Sequence, residues 1–250
     1  MQTLAGRTCC FAGASSGDGV AAVHALCKGG MNVVMISHRG AEAEALAQKI
    51  NQLGYPGICS VAAEGDEDIM DMYAGLENKW GSIDVVICNT GADGVLTPIE
   101  DVTVEMLMRS IEHLCGGSFE MLQAALPALK KSKAPRVIFM TTVEGVAGGS
   151  HESFTNAVAK GAVASLTKNC ASRLAPYGIA VNAIAKGGVS RPHGNVREDS
   201  PKPEELLPRI PVGRIGTEED LAQAICYLAS EETSYITGQI LNVCDGLYMG

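Results

Sequence analysis

The sequence predicts an α/β domain in which one doubly wound parallel sheet is flanked by helices on both faces. Short apolar segments rich in β-branched residues alternate with longer helical segments, which is the order of a parallel sheet whose strands are buried on both sides. A length of 250 residues and a hydrophobic content of 46% suffice for one substantial core. Because no linker or internal repeat divides the sequence, residues 1–250 are expected to form a single domain.

The predicted strands are distributed along the whole chain. They are Thr8–Ala12, Asn32–Ser37, Gly57–Val61, Ile83–Cys88, Arg136–Thr141, Ile179–Ile184 and Ile240–Val243. Helices are predicted between them, for example at Ala41–Leu53, Val104–Leu129 and Thr155–Ala175. In an open sheet of this kind a ligand binds outside the carboxyl ends of the strands, so the residues that follow each strand are the candidates for function.

The first strand leads directly into a glycine-rich turn, residues 13–19. The turn carries the predicted cofactor-binding residues Gly13, Ser15, Ser16, Gly17 and Gly19. Glycines let the backbone approach a pyrophosphate, and the helix that begins behind them offers free N–H groups and a partial positive charge. This arrangement is typical of a Rossmann-type dinucleotide site.

Composition and charge exclude several classes of function. A net charge of −9 and a pI near 5.1 argue against a nucleic-acid partner. The nine cysteines show no C-x-x-C pair or His/Cys spacing suited to zinc, so no metal site is predicted, and they are interpreted as small buried hydrophobes in a reducing compartment. The sequence has no apolar run of ~18 residues and no signal peptide. We therefore expect a soluble cytoplasmic protein without a membrane partner.

One irregular stretch, residues 187–216, begins just after a predicted strand. It contains five prolines, namely Pro192, Pro201, Pro203, Pro208 and Pro211. Its position predicts a mobile flap over the ligand site. The alternative is an ordered surface excursion without function.

Taken together, these segments resemble the short-chain dehydrogenase/reductase family over nearly the whole chain. The turn 13–19 is similar to the family's glycine motif, Asn89-Thr90-Gly91 to its Asn-Ala-Gly, and Lys186-Gly187 to its Pro-Gly. Residues 209–214 and 234–239 resemble the carboxyl-terminal third of 3-oxoacyl-carrier-protein-reductase-like members. The resemblance implies a nicotinamide dinucleotide cofactor with further contacts from Asn89, Gly91, Gly187, Val189 and Arg191.

The resemblance also implies a catalytic serine, tyrosine and lysine, together with a relay asparagine on the preceding long helix. In the family the tyrosine gives its proton to the substrate carbonyl, and the lysine lowers the tyrosine pKa while holding the nicotinamide ribose. Here Thr142 stands at the serine position, Lys160 is kept, and Asn156, on the same helix face as Lys160, replaces the tyrosine. Asn156 can donate a hydrogen bond but cannot release a proton near neutral pH. Leu114 or His113 occupies the relay position.

Charged residues replace neutral ones at the implied cofactor site. Asp18 stands where the family has Ile or Leu, and at ~5 Å with an effective dielectric of ~20 its repulsion of a pyrophosphate is on the order of 3 kcal/mol, or about a hundredfold in affinity. Lys186 replaces Pro, and Arg191 replaces the Thr that often binds the carboxamide. We expect Asp18 to pair with Lys186 or Arg191, so that the changes compensate. The alternative is that Asp18 points to solvent.

The end of the second strand indicates which dinucleotide binds. Ser37-His38-Arg39 lacks the acidic residue that would bind an adenosine 2′-hydroxyl, whereas His38 and Arg39 are suited to a 2′-phosphate. The sequence therefore predicts NADP(H) rather than NAD(H), with a solvated turn as the alternative for Arg39.

Two classes of function remain open. The first is an atypical NADP(H)-dependent oxidoreductase that interconverts an apolar ketone and a secondary alcohol with a substituted proton donor. The candidate donors are His151, Glu144, Lys186 and His193, and a desolvated Lys186 near Arg191 would have its pKa lowered towards neutrality. The second is a non-redox derivative of the scaffold: an inactive subunit, a ligand-binding sensor, or an isomerase or lyase that uses the same cleft. We favour the first because the cofactor scaffold is largely kept.

The two long helices also suggest self-assembly. Their apolar positions exceed what one sheet face should need, among them Met121, Leu122, Ala125, Val158, Val163 and Leu166. Since the family pairs the corresponding helices across an interface, the resemblance implies a homodimer or homotetramer. The alternative is that all of these residues pack internally.

Overall fold

The computed structural model describes residues 3–15, 17–63, 69–91, 96–149, 153–189 and 203–250. Its strands are β1 (Thr8–Ala12), β2 (Asn32–Ser37), β3 (Cys59–Ala63), β4 (Val85–Cys88), β5 (Arg136–Thr142), β6 (Ala180–Lys186) and β7 (Ile240–Val243). They form one parallel sheet in the order β3-β2-β1-β4-β5-β6-β7. The predicted doubly wound α/β fold is therefore confirmed, and its topological switch point lies between β1 and β4.

The bounds of four strands, β3 to β6, differ from the prediction, and the contacts of β3 and β6 show how. β3 begins at Cys59 because the N–H of Gly57 donates to Cys27 O at 3.0 Å, and a Cβ on Gly57 would lie 2.1 Å from Met31 O. Gly57 therefore belongs to the turn that precedes the strand. β6 continues to Lys186, which pairs with β5 and β7 on either side. This extension brings Lys186 level with Thr142 at the carboxyl end of β5.

Nine α-helices connect the strands in the part of the chain that the structure describes. They are α1 (Asp18–Lys28), α2 (Gly40–Gln52), α3 (Ile69–Trp80), α4 (Val104–Ile111), α5 (Gly117–Leu129), α6 (Val143–Ala147), α7 (Phe154–Leu174), α8 (Pro203–Leu206) and α9 (Glu218–Ala229). The long helix predicted at Val104–Leu129 consists of α4 and α5, joined by the π-helical turn Glu112–Gly116. The sequence did not predict this widened turn.

The core consists of two apolar clusters, one on each face of the sheet. On one face α1, α2 and α9 pack on the strands, with Leu26 and Ile225 fully buried. On the other face α3, α5 and α7 pack on the strands, with Val163 fully buried. Neighbouring strand residues alternate between the clusters, as Ile138 and Phe139 do, because side chains of a strand point to opposite faces in turn.

The cysteines and the apolar helix positions bear on two of the expectations. Eight of the nine cysteines are buried, which confirms their interpretation as small hydrophobes.

Four of the six apolar positions that suggested an interface are instead buried within the chain, namely Met121, Leu122, Ala125 and Val163, so these four do not call for a partner. Across the described ranges, no helix combines the length and the apolar character that spanning a membrane requires.

Buried arginines stabilise the edge of the sheet at which the strands begin. The Arg7 guanidinium, 5% exposed, donates to the carbonyls of Ala229 and Ala134, which lie far apart in sequence. Next to it, Thr8 N–H donates to Asp84 Oδ2 at 2.9 Å, and Arg136 Nε donates to Ser230 O at 3.2 Å. These contacts are structural, since the candidate site lies at the opposite edge.

The two ends of the predicted flap, residues 187–216, meet at the edge of the sheet. Gly216 N–H donates to Gly188 O at 2.9 Å, and Val189 forms a parallel bridge with Gly216. The described second half carries α8 and the short turn Leu207–Arg209, and its Ile210 is 3% exposed. This half is therefore anchored on the fold. Residues 190–202, which include Pro192 and Pro201, lie outside the described residues.

Candidate cofactor and active site

The glycine-rich turn 13–19 is held against the end of β4. Gly13 has φ 71°, and a Cβ there would lie 2.0 Å from Asn89 O, so glycine is required for two reasons. Asn89 Nδ2 donates back to Gly13 O at 3.3 Å. A Cβ on Gly19 would lie 2.6 Å from Gly13 O, so the first turn of α1 packs tightly on the glycine turn. The N-terminus of α1 is thereby presented at the switch point of the sheet.

The end of β2 lies beside this turn and carries two exposed basic residues. Ser37 Oγ lies 3.1 Å from Ser15 Oγ and accepts a hydrogen bond from Arg39 N–H at 3.1 Å. His38 and Arg39 are exposed. The Arg39 guanidinium makes only a loose ion pair with Glu42 Oε2 at 3.5 Å, and exposed pairs of this kind contribute little to stability. The guanidinium is therefore in a position to turn towards an incoming anion.

Asp18 and Lys186 form an ion pair between the first residue of α1 and the last residue of β6. Lys186 Nζ contacts Asp18 Oδ2, and the side chains of Asp18 and Lys186 are only 3% and 16% exposed. Lys186 is thus confirmed as a partner of Asp18, and the alternative of a carboxylate in solvent is wrong. The other proposed partner, Arg191, lies outside the described residues. Lys186 contacts a carboxylate here, and its predicted proximity to Arg191 stays a prediction.

Lys160 is buried where β4 and β5 end. It is 3% exposed, and its Nζ donates to Thr90 O and to Met140 O, each at 3.0 Å. Burial raises the pKa of the nearby Cys88 thiol to about 12, although the Lys160 ammonium acts in the opposite direction. Cys88 is therefore neutral at physiological pH and is not a candidate nucleophile.

Thr142 and Lys160 are brought together by the packing of α6 on α7. Thr142 caps α6, its Oγ1 accepting a hydrogen bond from Gly145 N–H at 3.2 Å. A hydroxyl that accepts in this way keeps a hydrogen with which it can donate. Gly145 lies against α7, because a Cβ at this position would lie 2.8 Å from Lys160 Cβ. The preceding Thr141 Oγ1 donates to Lys160 O at 2.7 Å.

Asn156 lies one helical turn before Lys160, and both side chains are buried, at 2% and 3% exposure. The predicted common face of α7 is therefore present. Glu144, in the first turn of α6, is half-buried. The other two candidate proton donors, His151 and His193, lie outside the described residues, as does Ser16 of the glycine turn.

Comparison with known proteins decides the family. Residues 13–248 match the family described as enoyl-(acyl carrier protein) reductase. The chain is 32% identical to the 3-oxoacyl-[acyl-carrier-protein] reductase FabG of Staphylococcus epidermidis over 244 residues, which cover 95% of this chain and 97% of that protein. The chain belongs to the short-chain dehydrogenase/reductase family.

Solved structures of short-chain dehydrogenases/reductases have the same architecture. A 3-oxoacyl-[acyl-carrier protein] reductase from Brucella melitensis with bound NAD aligns with a TM-score of 0.85 at 25% identity, over 99% of this chain and 95% of that chain. An NAD⁺-bound xylitol dehydrogenase shares the fold, with a TM-score of 0.86 at 21% identity over 98% of this chain and all of that chain. The protein is thus a short-chain dehydrogenase/reductase-like oxidoreductase of the 3-oxoacyl-carrier-protein-reductase type.

The two residues predicted at the relay position, His113 and Leu114, lie in the π-helical turn Glu112–Gly116. His113 is exposed, whereas Leu114 is fully buried. The Leu114 carbonyl accepts hydrogen bonds from Ser118 Oγ at 2.7 Å and from Thr90 Oγ1 at 3.4 Å. Because Thr90 O also accepts from Lys160, Thr90 connects the π-helical turn to the buried lysine. Sequence reasoning quoted Thr90 within Asn89-Thr90-Gly91 but gave it no role.

The remaining predicted cofactor residues lie along the same edge of the sheet. Gly187 N–H donates to Val243 O at 3.2 Å, and a Cβ there would lie 2.7 Å from Val143 Cγ2. Val189 is half-buried and Gly91 is exposed. Sequence reasoning missed the close approach of Gly145 to Lys160. The available signal was Gly161, which directly follows Lys160 and whose Cβ would lie 3.0 Å from Gly145 O.

Proposed function

We propose that this protein is an NADP(H)-dependent oxidoreductase that interconverts an apolar ketone and the corresponding secondary alcohol. The observation that carries the proposal is that the glycine turn, the buried Lys160 and the exposed Arg39 share the carboxyl edge of the sheet. The N-terminus of α1 would hold the pyrophosphate, the end of β2 the adenosine half, and the ends of β4 to β6 the nicotinamide half. When bound, the dinucleotide supplies or accepts the hydride.

The preference for NADP(H) is supported by the end of β2. Arg39 precedes the first residue of α2, so a 2′-phosphate at this place meets a guanidinium, His38 and the free N–H groups of a helix N-terminus. No carboxylate occupies residues 37–39 to hydrogen-bond a ribose 2′-hydroxyl.

The charge balance around the glycine turn supports an anionic cofactor. Asp18 alone would repel a pyrophosphate by on the order of 3 kcal/mol. Its contact with Lys186 makes the pair neutral, so that this penalty is largely removed. The residues present therefore fit a dinucleotide despite the acidic residue at the start of α1.

Thr142 and Asn156 are the proposed hydrogen-bond donors to the substrate carbonyl. Reduction of a ketone adds a hydride to carbon and a proton to oxygen, and Asn156 cannot release that proton. Lys186 is bound to Asp18 and Lys160 to two carbonyls. Glu144 is half-buried, and His151 and His193 lie outside the described residues, so these three remain candidate proton donors beside a water molecule that enters the relay. Side chains of Val143, Ile210 and Leu247 surround Gly187 and Gly188, which suits an apolar substrate.

Titration of the purified protein with NADPH and with NADH tests the cofactor proposal. We expect NADPH to bind at least about tenfold more tightly, because a charge-assisted contact to the 2′-phosphate is worth about 1.5–3 kcal/mol. The Arg39→Glu variant should lose this preference while its NADH affinity does not fall. Arg173→Glu, at an exposed position of α7, is the matched control. Equal affinities for both dinucleotides, unaffected by Arg39→Glu, would refute the NADP(H) preference, and absence of binding would refute the cofactor proposal.

Substitutions of Asn156 test the proposed chemistry. If Asn156 only donates a hydrogen bond, Asn156→Ala should lower kcat for ketone reduction. Asn156→Tyr should raise kcat by about 10²–10⁴-fold, because it introduces a general acid one helical turn before Lys160. Because the position is buried, the fold of Asn156→Tyr must be checked by circular dichroism. Unchanged kcat in Asn156→Ala would remove Asn156 from the reaction.

We also propose that the protein forms a homodimer or homotetramer through its long helices. Met108, Phe119, Phe154 and Val158 on α4, α5 and α7 are between 38% and 55% exposed. Exposed apolar side chains on neighbouring helices are typical of an interface between copies. Sedimentation equilibrium should give a mass of two or four chains, and Met108→Glu combined with Phe119→Glu should reduce it.

A further inference from the structure

The carboxylate of Asp18 has one oxygen that the fold leaves without a donor. Oδ2 contacts Lys186, but Oδ1 is fully buried and has no hydrogen-bond partner among the described residues. A buried, charge-bearing acceptor without a donor is costly, so such a group in a site indicates a missing partner. The missing partner must carry an N–H or O–H.

The position of the Asp18–Lys186 pair selects the part of the dinucleotide that reaches it. The pair extends from the first residue of α1 to the end of β6, and in the sheet order β4 and β5 lie between β1 and β6. The adenosine half is assigned to the end of β2, on the other side of β1. The pair therefore lies on the side of β1 that is assigned to the nicotinamide half.

Two groups on that half carry donors, the ribose hydroxyls and the carboxamide NH₂. Phosphate oxygens only accept hydrogen bonds at neutral pH, and their charge repels a carboxylate. A ribose hydroxyl that accepts a hydrogen bond from the Lys160 ammonium still carries a hydrogen of its own. The carboxamide NH₂ can be replaced without changing the rest of the dinucleotide, so a binding experiment distinguishes the two donors.

Resting on the proposed function, we propose that Asp18 Oδ1 accepts a hydrogen bond from the carboxamide NH₂ of the bound nicotinamide. Lys186 holds Oδ2 and keeps the carboxylate in place, so Lys186 is a positioning residue and Asp18 is the recognition residue. Asp18 thus makes a specific polar contact at a position where the family has Ile or Leu. It makes the protein selective for dinucleotides with an intact carboxamide.

Calorimetric titration with NADP⁺ and its 3-acetylpyridine analogue tests this contact without any catalytic turnover. The analogue has a methyl group in place of the NH₂ and keeps the phosphates and ribose hydroxyls. We expect the wild-type protein to bind NADP⁺ about 10-fold to 100-fold more tightly than the analogue, since a hydrogen bond to a charged acceptor is lost. In Asp18→Leu the ratio of the two affinities should fall towards one.

Two further variants make the result interpretable. Asp18→Asn preserves the shape of the side chain and should lower the ratio of the two affinities to an intermediate value, because its amide oxygen is a weaker, neutral acceptor. If Asp18→Leu does not fold, Asp18→Asn takes its place. Lys186→Met leaves the carboxylate unpaired and no longer held in place, so it should weaken both ligands and also lower the ratio, though less than Asp18→Leu does. A ratio that is the same in wild type, Asp18→Leu and Asp18→Asn overturns the inference alone. Failure of wild type to bind NADP⁺ overturns the proposed function as well.

Discussion

Substitution of Gly145 by alanine should separate α6 from α7 and disturb Lys160. The added Cβ would lie 2.8 Å from Lys160 Cβ, 2.9 Å from Lys160 C and 3.0 Å from Gly161 N, all below the 3.4 Å at which ordinary contact begins. Two of these atoms are backbone, so no flexible side chain can yield. Overpacking of this kind costs about 1–3 kcal/mol, partly offset by up to about 1 kcal/mol from the better helix propensity of alanine.

The expected net loss is about 1–2 kcal/mol, which lowers the Tm of a chain of this size by about 2–8 °C. NADPH affinity should fall as well, because Gly145 lies next to Lys160 and next to Thr142, the residue that caps α6. Thermal unfolding followed by circular dichroism and calorimetric titration with NADPH measure the two effects. Gly75→Ala is the matched control: Gly75 lies exposed in α3 with no atom within 4 Å of its Cβ, so the control should be stabilised by up to about 1 kcal/mol. If Gly145→Ala equals Gly75→Ala in Tm and binds NADPH like wild type, the packing argument is refuted.

Two further predictions concern stability away from the site. Arg7→Met should lower the free energy of unfolding by about 2–4 kcal/mol, because the Ala229 and Ala134 carbonyls lose their buried donor. The urea midpoint should fall with unchanged m-value, whereas exposed Arg173→Met should leave it in place; equal midpoints would contradict the structural role of Arg7. The Arg214 guanidinium and the Thr217 N–H lower the pKa of Asp220 to about 2, so this carboxylate stabilises the fold above its unfolded pKa of about 4 and loses that effect as the pH falls to about 2. Asp220→Asn should therefore lose about 0.5–1 kcal/mol at neutral pH, and its Tm should approach that of wild type as the pH falls from 4 to 2; a Tm difference that does not change with pH would contradict this assignment.

Much of the fold could be predicted because the strands are short apolar runs bounded by glycines or polar residues. β2 and β7 have the predicted bounds, and β1 does as well. The boundary of β3 could not be predicted, because the place of Gly57 is decided by the Met31 carbonyl, which comes near it only in three dimensions. The π-helical turn at Glu112–Gly116 likewise has no signal in the hydrophobic pattern.

The candidate site was predictable where one residue implies another. An acidic residue at the start of α1 called for a nearby cation, and Lys186 is in contact with it. The partners of Lys160, Thr90 O and Met140 O, could not be predicted in the same way. Every residue has a backbone carbonyl, so residue type does not indicate which carbonyls accept a hydrogen bond. The residue types therefore predict candidates for the site but not the hydrogen bonds that orient them.

The retained lysine is weaker support for activity than it first suggests. Lys160 donates to two buried carbonyls, and a buried group with such partners contributes to stability whether or not a cofactor binds. The stronger support comes from features that stability does not explain. His38 and Arg39 remain exposed at the end of β2, and Asp18 keeps a buried oxygen without a donor among the described residues. Such an oxygen lowers the stability of the free protein, and a bound donor turns the same oxygen into a contact that stabilises the complex. On the proposed function, a dinucleotide that carries both a 2′-phosphate and a carboxamide would place an anion beside Arg39 and a donor beside Asp18.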